Sequence, residues 1–557
     1  MRGHRAIVAS FVLASAGCYE GISGGGAAGD DGEGTAMSGS ASDADSGASS
    51  SGGETGEPEA CGAIEIGHMP LRRLTRLQYA NAVRDLFGVE ADISKLGGDE
   101  KLGPFDANYA TPVSPTSVEQ FRAIAEQVGD AVAADPVAAL GCDPASASDC
   151  LGSWVDAVGR RAYRRPLTAE ERARYDGLIA LGEDDPTRAK LVVQAMLQSP
   201  NFLYQLELEL GDPEGDVIAL APNELAARLS FFLWGSVPDD ALLDAAADGA
   251  LADAAGLRAQ AERLLADPRA KSAIESFHVQ WLAVDKLEVS LKDPAVYPLF
   301  DEDVRAAMIA ETKRFASGVI FDGDAKLDTL LTSNEAWIDA PLFEIYGLPT
   351  PADHDPSEPV QLDPTQRAGL LTQAGFLASH AHANESGPVQ RGVVVLSNLL
   401  CSPPPPPPPN INVIPPDPDP DATTRELFEM HTADPACAGC HSLIDGIGLG
   451  FEGYDGIGVY RELENGLPVD QSGEVVGTDV AGEFDGVVEL ANKLAQSEQV
   501  RECVATQWFR FALGRFEETE DICTLDQLHA SFADADYDVR ELVLALVQTD
   551  AFRYRAP

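Results

Sequence analysis

The sequence predicts a mainly α-helical protein with several domains: a helical body, then a small helical domain, then a C-terminal helical domain. From about residue 65 onward, apolar residues recur at the spacing of a helix, whereas the alternation typical of strands is scarce. The 557 residues also exceed what one hydrophobic core accommodates. We therefore expect several helical modules along one chain.

Three apolar stripes show the helical spacing. The first ends at Gly88, a residue typical of helix C-termini, and the second follows Pro222 and Asn223, which form a helix start signal. We interpret all three as core-facing surfaces, and short alternating stretches at 216–219 and 473–476 as a small sheet or hairpin. The stripes consist of Leu74, Leu77, Tyr79, Val83 and Leu86–Phe87; of Leu225, Leu229 and Phe232–Leu233; and of Val500, Val504, Trp508 and Phe511.

The motif Cys437-Ala438-Gly439-Cys440-His441 is the strongest chemical signal in the chain. Its spacing is that of a c-type haem attachment site. Because residues three and four apart share one face of a helix, both thiols could reach the haem vinyl groups while His441 binds the iron. The alternatives are a local disulfide, a zinc site and a thioredoxin-like dithiol. No second Cys-x-x-Cys completes a zinc site, and no βαβ pattern surrounds the motif.

The second ligand of the haem iron is left open by the sequence, because no methionine follows His441. His431 is the favoured candidate, and an open or water-bound position is the alternative. Arg461 could pair with a haem propionate or, equally well, with Glu452 or Asp455. The remaining ligand candidates are Met430, His529, His380 and His382.

The N-terminal residues predict export. A basic stretch at 1–5 precedes an apolar stretch at 6–13, and small residues follow it up to Cys18. This pattern is typical of a secretory signal peptide over residues 1–18 and is too short to span a bilayer. Cleavage at the small residues 14–16 would release a soluble protein. We favour a lipobox that makes Cys18 a lipidated first residue, although Ser15 stands where leucine is usual.

Two low-complexity segments flank the helical body. Residues 19–64 consist mostly of small and acidic residues and predict a disordered Gly/Ser/Asp linker, because they cannot bury enough apolar surface to offset the ordering entropy. The proline-rich stretch 403–420 begins with seven consecutive prolines and predicts an extended polyproline II strap or spacer.

The net charge of −51, from 39 basic and 90 acidic side chains, argues against a nucleic-acid or anionic-membrane binding surface. No segment beyond the N-terminus is apolar for long enough to cross a membrane. We therefore expect no nucleic-acid partner, and membrane contact by the lipid anchor only.

Several motifs occur in a fixed order along the chain. They are Leu74-Thr75-Arg76-Leu77-Gln78-Tyr79, Arg161-Ala162-Tyr163-Arg164-Arg165-Pro166, Leu229-Ser230-Phe231-Phe232-Leu233-Trp234, Ser386-Gly387-Pro388-Val389 before Cys437–His441, and Phe484-Asp485-Gly486 before Gly514-Arg515. In this order the chain resembles, from about residue 65 to 557, the large secreted proteins of planctomycetes and myxobacteria. Those proteins are built from planctomycete cytochrome-associated domains of unknown function.

The resemblance implies five helical domains, with a c-type haem in the fourth and a cell-envelope location, but no established reaction. The fourth would hold the strap 403–420 and the haem motif 437–441 in a small cytochrome-c-like part. Many relatives carry methionine three residues after the haem histidine, where this chain has Ile444, so methionine ligation from that position is excluded. The implied domains are 65–130, 140–205, 216–350, 365–465 and 484–557.

Six cysteines remain once the lipid and haem cysteines are set aside, and an even number suits an oxidising compartment. Two pairs would close short loops, each within one of the domains that the resemblance implies. The third pair rests on parity alone. The predicted disulfides are Cys142–Cys150, Cys503–Cys523 and Cys61–Cys401.

The favoured function is that of a cell-envelope c-type haem protein that passes single electrons to an unknown redox partner, linked to an extracytoplasmic oxidation. One alternative is a surface scaffold or glycan-binding protein with accessory or no haem, for which an extracellular glycan would be the partner. Another is a haem peroxidase, because the usual distal methionine is missing. We expect an outer-membrane or cell-surface lipoprotein, with the periplasm as the alternative location.

Overall fold

The computed structural model describes residues 61, 64–109, 113–144, 149–208, 213–214, 217–405, 419–432 and 435–556, without the side chains of 213–214, 430–432 and 435–438. The predicted signal peptide, Cys18, most of the linker 19–64 and most of the strap 403–420 lie outside these residues. Helices account for 56% of the described residues and strands for 7%, which confirms the mainly α prediction.

The first helical group, residues 64–208, has a hydrophobic core of its own. Its elements are β1 (Arg72–Arg73), α1 (Arg76–Phe87), β2 (Lys101–Leu102), β3 (Phe105–Asp106), α2 (Pro115–Ala134), α3 (Pro136–Leu140), α4 (Cys150–Ala162), α5 (Ala169–Leu181), α6 (Asp185–Leu197), α7 (Pro200–Leu203) and β4 (Tyr204–Gln205). Helix α2 packs along α6, and β1 pairs with β4 in an antiparallel sheet.

Helix α1 shows why these segments begin and end where they do. Thr75 accepts a hydrogen bond from the Gln78 N–H, and the Gln78 side chain accepts one from the Thr75 N–H, so a capping box starts the helix. Gly88, with φ of 66°, ends it in the left-handed conformation that glycine favours. The helix end that the sequence predicts at Gly88 is therefore confirmed.

The second group, residues 213–361, begins with two strands and continues as helices around the largest core cluster. Its elements are β5 (Pro213–Glu214), β6 (Val217–Ala219), α8 (Pro222–Trp234), α9 (Asp240–Ala247), α10 (Ala254–Leu265), α11 (Ala270–Trp281), α12 (Glu302–Ser317), α13 (Leu327–Thr332), β7 (Glu335–Ala336), α14 (Leu342–Ile345) and β8 (Val360–Gln361). Helix α8 begins at Pro222, as the start signal predicts.

The rest of the chain shares that core cluster. Its elements are α15 (Ala374–Ser379), α16 (Pro388–Val394), α17 (Thr424–Thr432), α18 (Pro435–Gly448), β9 (Leu463–Glu464), β10 (Leu467–Pro468), β11 (Ser472–Val475), β12 (Gly482–Asp485), α19 (Gly486–Ala495), α20 (Glu498–Leu513), α21 (Ile522–Asp534), α22 (Val539–Leu546), α23 (Asp550–Arg553) and β13 (Tyr554–Arg555). A π-helical turn, Val395–Leu399, extends α16. The hairpin β11–β12 covers the predicted strand stretch 473–476 in part.

The C-terminal segment docks on the second group. Strand β13 pairs with β6, so a three-stranded sheet joins sequence positions more than 300 residues apart. The buried Arg228 guanidinium donates to the carbonyl oxygens of Ala551 and Phe552 at 3.0 and 2.7 Å, and it pairs with Glu207 at 2.6 Å. The described residues of 61–404 and 414–557 belong to one compact unit.

The disulfides confirm one predicted pair and correct two. Cys142 is bonded to Cys150. The predicted pairs Cys503–Cys523 and Cys61–Cys401 are wrong, because the structure forms Cys401–Cys503 and Cys61–Cys523, with Cα separations of 5.4 and 5.8 Å.

Packing explains both corrections. Cys503 lies on α20, which packs against the π-helical turn that ends just before Cys401. The segment after Cys61 is held at the start of α21, where Asp521 accepts a hydrogen bond from the Gly67 N–H and Glu518 accepts one from the His68 N–H. Three disulfides are typical of a protein from an oxidising, extracytoplasmic compartment. Among the described residues, no helix combines the length and apolar character that a membrane span requires.

A buried carboxyl group links the second group to the segment after it. Glu311 on α12 is fully buried and accepts a hydrogen bond from the Tyr346 hydroxyl at 2.5 Å, while its Oε2 has no partner. The Arg367 guanidinium lies 4.6 Å from the Tyr346 ring and 4.9 Å from the Tyr454 ring. Burial is the largest influence and raises the pKa of Glu311 to about 7.

We expect Glu311→Gln to remove a pH-dependent loss of stability. Between about pH 4.5 and 7 the unfolded chain releases the proton of this carboxyl, whereas the folded protein retains it, so wild-type stability falls through this window. The shift corresponds to about 3 kcal/mol. Urea denaturation at pH 4.5 and pH 8 should show the variant gaining that amount relative to wild type.

The matched control is Glu302→Gln, on the exposed face of the same helix, whose side chain is 80% exposed. It should follow the wild-type pH profile to within about 1 kcal/mol. An equal pH response of the two variants would contradict the assignment of the effect to Glu311.

Candidate functional site

The motif Cys437-x-x-Cys440-His441 lies on helix α18, as the spacing predicts. Pro435 occupies the first position of this helix, where its missing N–H is tolerated. Cys440 and His441 follow Cys437 by three and four residues, so all three lie on one face of the helix. The Cys437 side chain lies outside the described residues.

Cys440 carries a free, half-buried thiol that packs against the main hydrophobic core. A Cys437–Cys440 disulfide, one of the alternatives for this motif, is therefore not formed. Among the described residues, no group of three or more His, Cys, Asp or Glu side chains is arranged to hold a metal ion.

His441 is held by a carboxylate one helical turn further on. Its Nδ1 lies 3.0 and 3.2 Å from the two oxygens of Asp445, a residue that is only 8% exposed. The hydrogen bond to Asp445 is the largest influence and raises the pKa of the His441 imidazole. When His441 is neutral, Nδ1–H donates to Asp445, and this tautomer carries its lone pair on Nε2.

Asp445 was missed by the sequence analysis, although a local signal existed. A carboxylate four residues after a histidine faces it across one helical turn. Paired imidazole and carboxylate groups of this kind orient metal-binding histidines in many proteins, since the carboxylate fixes the tautomer and raises the basicity of the ring.

Glycine contacts fix the position of α18 against α16. A Cβ atom at Gly392 would lie 2.4 Å from the Ile444 carbonyl oxygen, and one at Gly448 would lie 2.1 Å from the Pro388 carbonyl oxygen. Only glycine permits so close an approach of the two backbones. On the other side, Gly446 meets the β11 backbone in the same way, 2.6 Å from the Glu474 carbonyl oxygen.

Ile444, three residues after His441, is a core residue in this arrangement. Its side chain is 6% exposed, and Ile447 on the same face is 1% exposed. Packing against α16 therefore accounts for an apolar side chain at this position.

Arg461 is engaged in ion pairs within its own region. Its guanidinium lies 3.0 Å from a carboxylate oxygen of the buried Glu452 and 3.0 Å from one of Glu464. Of the two alternatives for Arg461, the structural pairing with Glu452 is the one that the structure forms.

The other histidines differ in their surroundings. His380 is fully buried against Phe376, and its Nε2 lies 2.8 Å from the Leu282 carbonyl oxygen. Burial lowers its pKa to about 3, so this candidate ligand is a core residue. His529 has a buried Nε2 without a hydrogen-bond partner, and burial lowers the pKa of His382. The side chains of His431 and Met430 lie outside the described residues.

Two clefts in the described part of the chain lie away from α18. The smaller one, about 50 Å³, is lined by residues from distant parts of the sequence, including Arg72, Gln205, Gln280 and Phe511. The larger one, about 250 Å³, lies in the first helical group between β1, α1 and α2. Neither cleft includes Cys440 or His441.

Comparison with protein families gives five matches in the order of the chain, all to models described as proteins of unknown function. They are DUF1587 at residues 72–134, DUF1595 at 150–207, DUF1592 at 220–348, DUF1588 (PSCyt3) at 367–464 and DUF1585 at 482–552. No curated protein and no solved structure matches the chain. The motif on α18 falls within the DUF1588 match. The chain therefore contains five domains of unknown function of the planctomycete cytochrome-associated type.

Proposed function

We propose that this protein is a c-type haem protein of the cell envelope that transfers single electrons. The observation that carries the proposal is the Cys437-x-x-Cys440-His441 motif on one helix, with a free thiol at Cys440 and an imidazole held by Asp445. The name of the matching model, PSCyt3, hints at the same association with cytochromes.

The donor set fits a covalently bound haem. Thiols three residues apart on a helix suit the two thioether bonds, and an adjacent imidazole suits the proximal position. When bound, haem c supplies a one-electron redox centre. Asp445 holds the proton on Nδ1 of His441, which presents the Nε2 lone pair for ligation and makes the ring a stronger donor.

Burial of Ile444 against α16 leaves the second ligand to another part of the chain. His431 remains the proposed ligand because it precedes the motif by only a few residues on α17, the helix before α18. A bis-histidine site would favour electron transfer at low potential, as proposed here, whereas an open position would favour peroxide chemistry.

The disulfides support an extracytoplasmic setting, since three of them in one chain require an oxidising compartment. Lipidation at Cys18 and transfer to a redox partner are parts of the same proposal. Mass spectrometry of the mature N-terminus would test the lipid.

The test is expression together with the machinery for cytochrome c maturation. The wild-type protein should carry one covalent haem with Soret and α bands. Cys440→Ser should reduce covalent attachment to a single thioether or abolish it, and His441→Ala should lose normal ligation. A correctly folded but colourless wild-type protein, checked by circular dichroism, would refute the proposal.

Two further variants on α18 sharpen this test. Asp445→Asn keeps the shape but removes a negative charge beside the ligand, so the reduction potential should rise by on the order of 60 mV, a tenfold change for one electron. The exposed Ser442→Ala serves as the matched control and should leave haem content, spectrum and potential unchanged. Substitution of His431 should alter the spectrum if it is the distal ligand.

A further inference from the structure

The larger cleft of the first helical group, here called the Arg73–Arg76 cleft, has a volume of about 250 Å³. The start of α1, the loop 96–99 and the N-terminus of α2 surround it. Its lining residues include Arg73, Arg76, Gly98, Asp99, Thr116 and Phe121. This cleft lies in the region matched by DUF1587 and does not involve α18.

The side chains of the two arginines of the cleft have no hydrogen-bond or ion-pair partner among the described residues. The Nε atoms of Arg73 and Arg76 are buried and have no hydrogen-bond partner. Neither guanidinium forms an ion pair or a hydrogen bond with any described residue, although Arg73 lies 5.6 Å from the centroid of the Phe121 ring. Burying guanidinium donors without acceptors costs free energy, and an oxyanion would offset this cost.

This lack of partners is unusual in so acidic a chain. With 90 acidic against 39 basic side chains, carboxylates are abundant. Every other arginine in the described part of the chain has a hydrogen bond or an ion pair, except Arg174, which is exposed on α5. The two partnerless arginines with buried donor atoms therefore occur together, at one cleft.

One carboxylate, that of Asp99, also lines the cleft. Its Oδ2 accepts the Arg76 backbone N–H at 2.9 Å, and its Oδ1 accepts the Asn108 side-chain amide at 2.7 Å. Both oxygens are thus occupied by neutral donors. The cleft retains two guanidinium cations against one carboxylate, which leaves a net positive charge for an anion.

The remaining walls suit an anion as well. The 20-residue helix α2 starts at the cleft, and Ser114, its N-cap, Thr116 and Ser117 line the wall. The partial positive charge of a helix N-terminus adds to that of the two guanidinium groups. A Cβ at Gly97 or Gly98 would meet no atom within 4 Å, so this side of the cleft is open.

We propose that the Arg73–Arg76 cleft is a binding site for an oxyanion, the carboxylate, sulfate or phosphate group of a small ligand. Arg73 and Arg76 provide the charge and the hydrogen-bond donors, the Thr116 hydroxyl at the start of α2 provides a further donor, and Phe121 provides an apolar wall. The site is independent of haem, so its failure would leave the proposed electron transfer untouched.

Isothermal titration calorimetry of the full chain with inorganic phosphate, sulfate and acetate, each at constant ionic strength, tests this proposal. Wild type should bind at least one of the three probes saturably. Arg73→Gln and Arg76→Gln should each weaken that binding by about tenfold or more, the effect of losing one charge-assisted hydrogen bond. Their melting temperatures without ligand should stay close to the wild-type value, because neither guanidinium has a hydrogen bond or an ion pair to lose.

Arg174→Gln is the matched control, since it removes the same charge from an arginine that also lacks partners but lies outside the cleft. It should bind the probes as wild type does. Gly98→Asp provides an independent variant that adds a carboxylate to the open side and should also weaken binding. Absence of saturable binding by wild type, or an equal loss in Arg174→Gln, would overturn the proposal.

Discussion

Replacing Arg391 with methionine is expected to destabilise the protein by on the order of 5 kcal/mol. The Arg391 side chain is fully buried on α16, and its guanidinium donates four hydrogen bonds to backbone carbonyl oxygens. The acceptors are Leu377 at 3.1 Å, Phe451 at 3.1 Å, Tyr454 at 3.2 Å and Asp455 at 2.7 Å. Methionine fills much of the volume but leaves these carbonyl groups unsatisfied.

The same guanidinium ties α15 to the chain that follows α18, so its loss should also loosen the region around the motif. Urea denaturation followed by circular dichroism measures the change in the free energy of unfolding. Arg540→Met is the control, because Arg540 is 39% exposed and its ion pair with Asp538 spans 3.5 Å. It should cost less than about 1 kcal/mol. Similar losses in both variants would contradict the role given to Arg391.

Removal of the Cys61–Cys523 disulfide should have the second largest effect. This bond joins residues 462 positions apart, and cross-linking so long a loop strongly restricts the unfolded chain. The double variant Cys61→Ser/Cys523→Ser should lose about 5 kcal/mol, the upper end of what a disulfide contributes. The hydrogen bonds from Gly67 and His68 to Asp521 and Glu518, and the packing of Ile66 in the core, would then hold this segment.

The chain offers its own control in Cys142→Ser/Cys150→Ser, which opens a loop of only 8 positions. The same chain-entropy argument gives about 2 to 3 kcal/mol for this bond. Urea denaturation of both double variants should therefore show a larger loss in the free energy of unfolding for Cys61→Ser/Cys523→Ser than for Cys142→Ser/Cys150→Ser. Equal losses, or a larger loss for the short loop, would show that restriction of the unfolded chain does not explain the stabilisation.

Local features of the fold were predictable from the sequence. The periodicity around Leu229 and Val504 identifies helices, because a helix repeats its core-facing positions every three to four residues. Gly88 and Pro222 mark helix ends for equally local reasons. The placement of the Cys437–His441 motif on a helix follows from its spacing.

The features that the sequence did not reveal depend on contacts between distant residues. Neither loop length nor parity carries spatial distances, so the short loop paired Cys503 with Cys523, and parity paired Cys61 with Cys401, whereas the structure pairs Cys503 with Cys401 and Cys523 with Cys61. The Arg73–Arg76 cleft exists only because the loop 96–99 meets the start of α2. By contrast, Asp445 could have been found, since its spacing from His441 is local.

The pairing of β13 with β6 has a consequence for how such a chain is inherited. The strand at 217–219 gains its second neighbour in the sheet, and Arg228 its carbonyl acceptors, from residues 551–555. An ancestor that acquired the middle of this sequence without its end would expose one unpaired edge of this strand and would leave the buried Arg228 paired with Glu207 but without its carbonyl acceptors. Recombination should therefore transmit these segments together. Their shared order along the chain would then reflect the packing of one segment against the other, independently of the chemistry that each contributes.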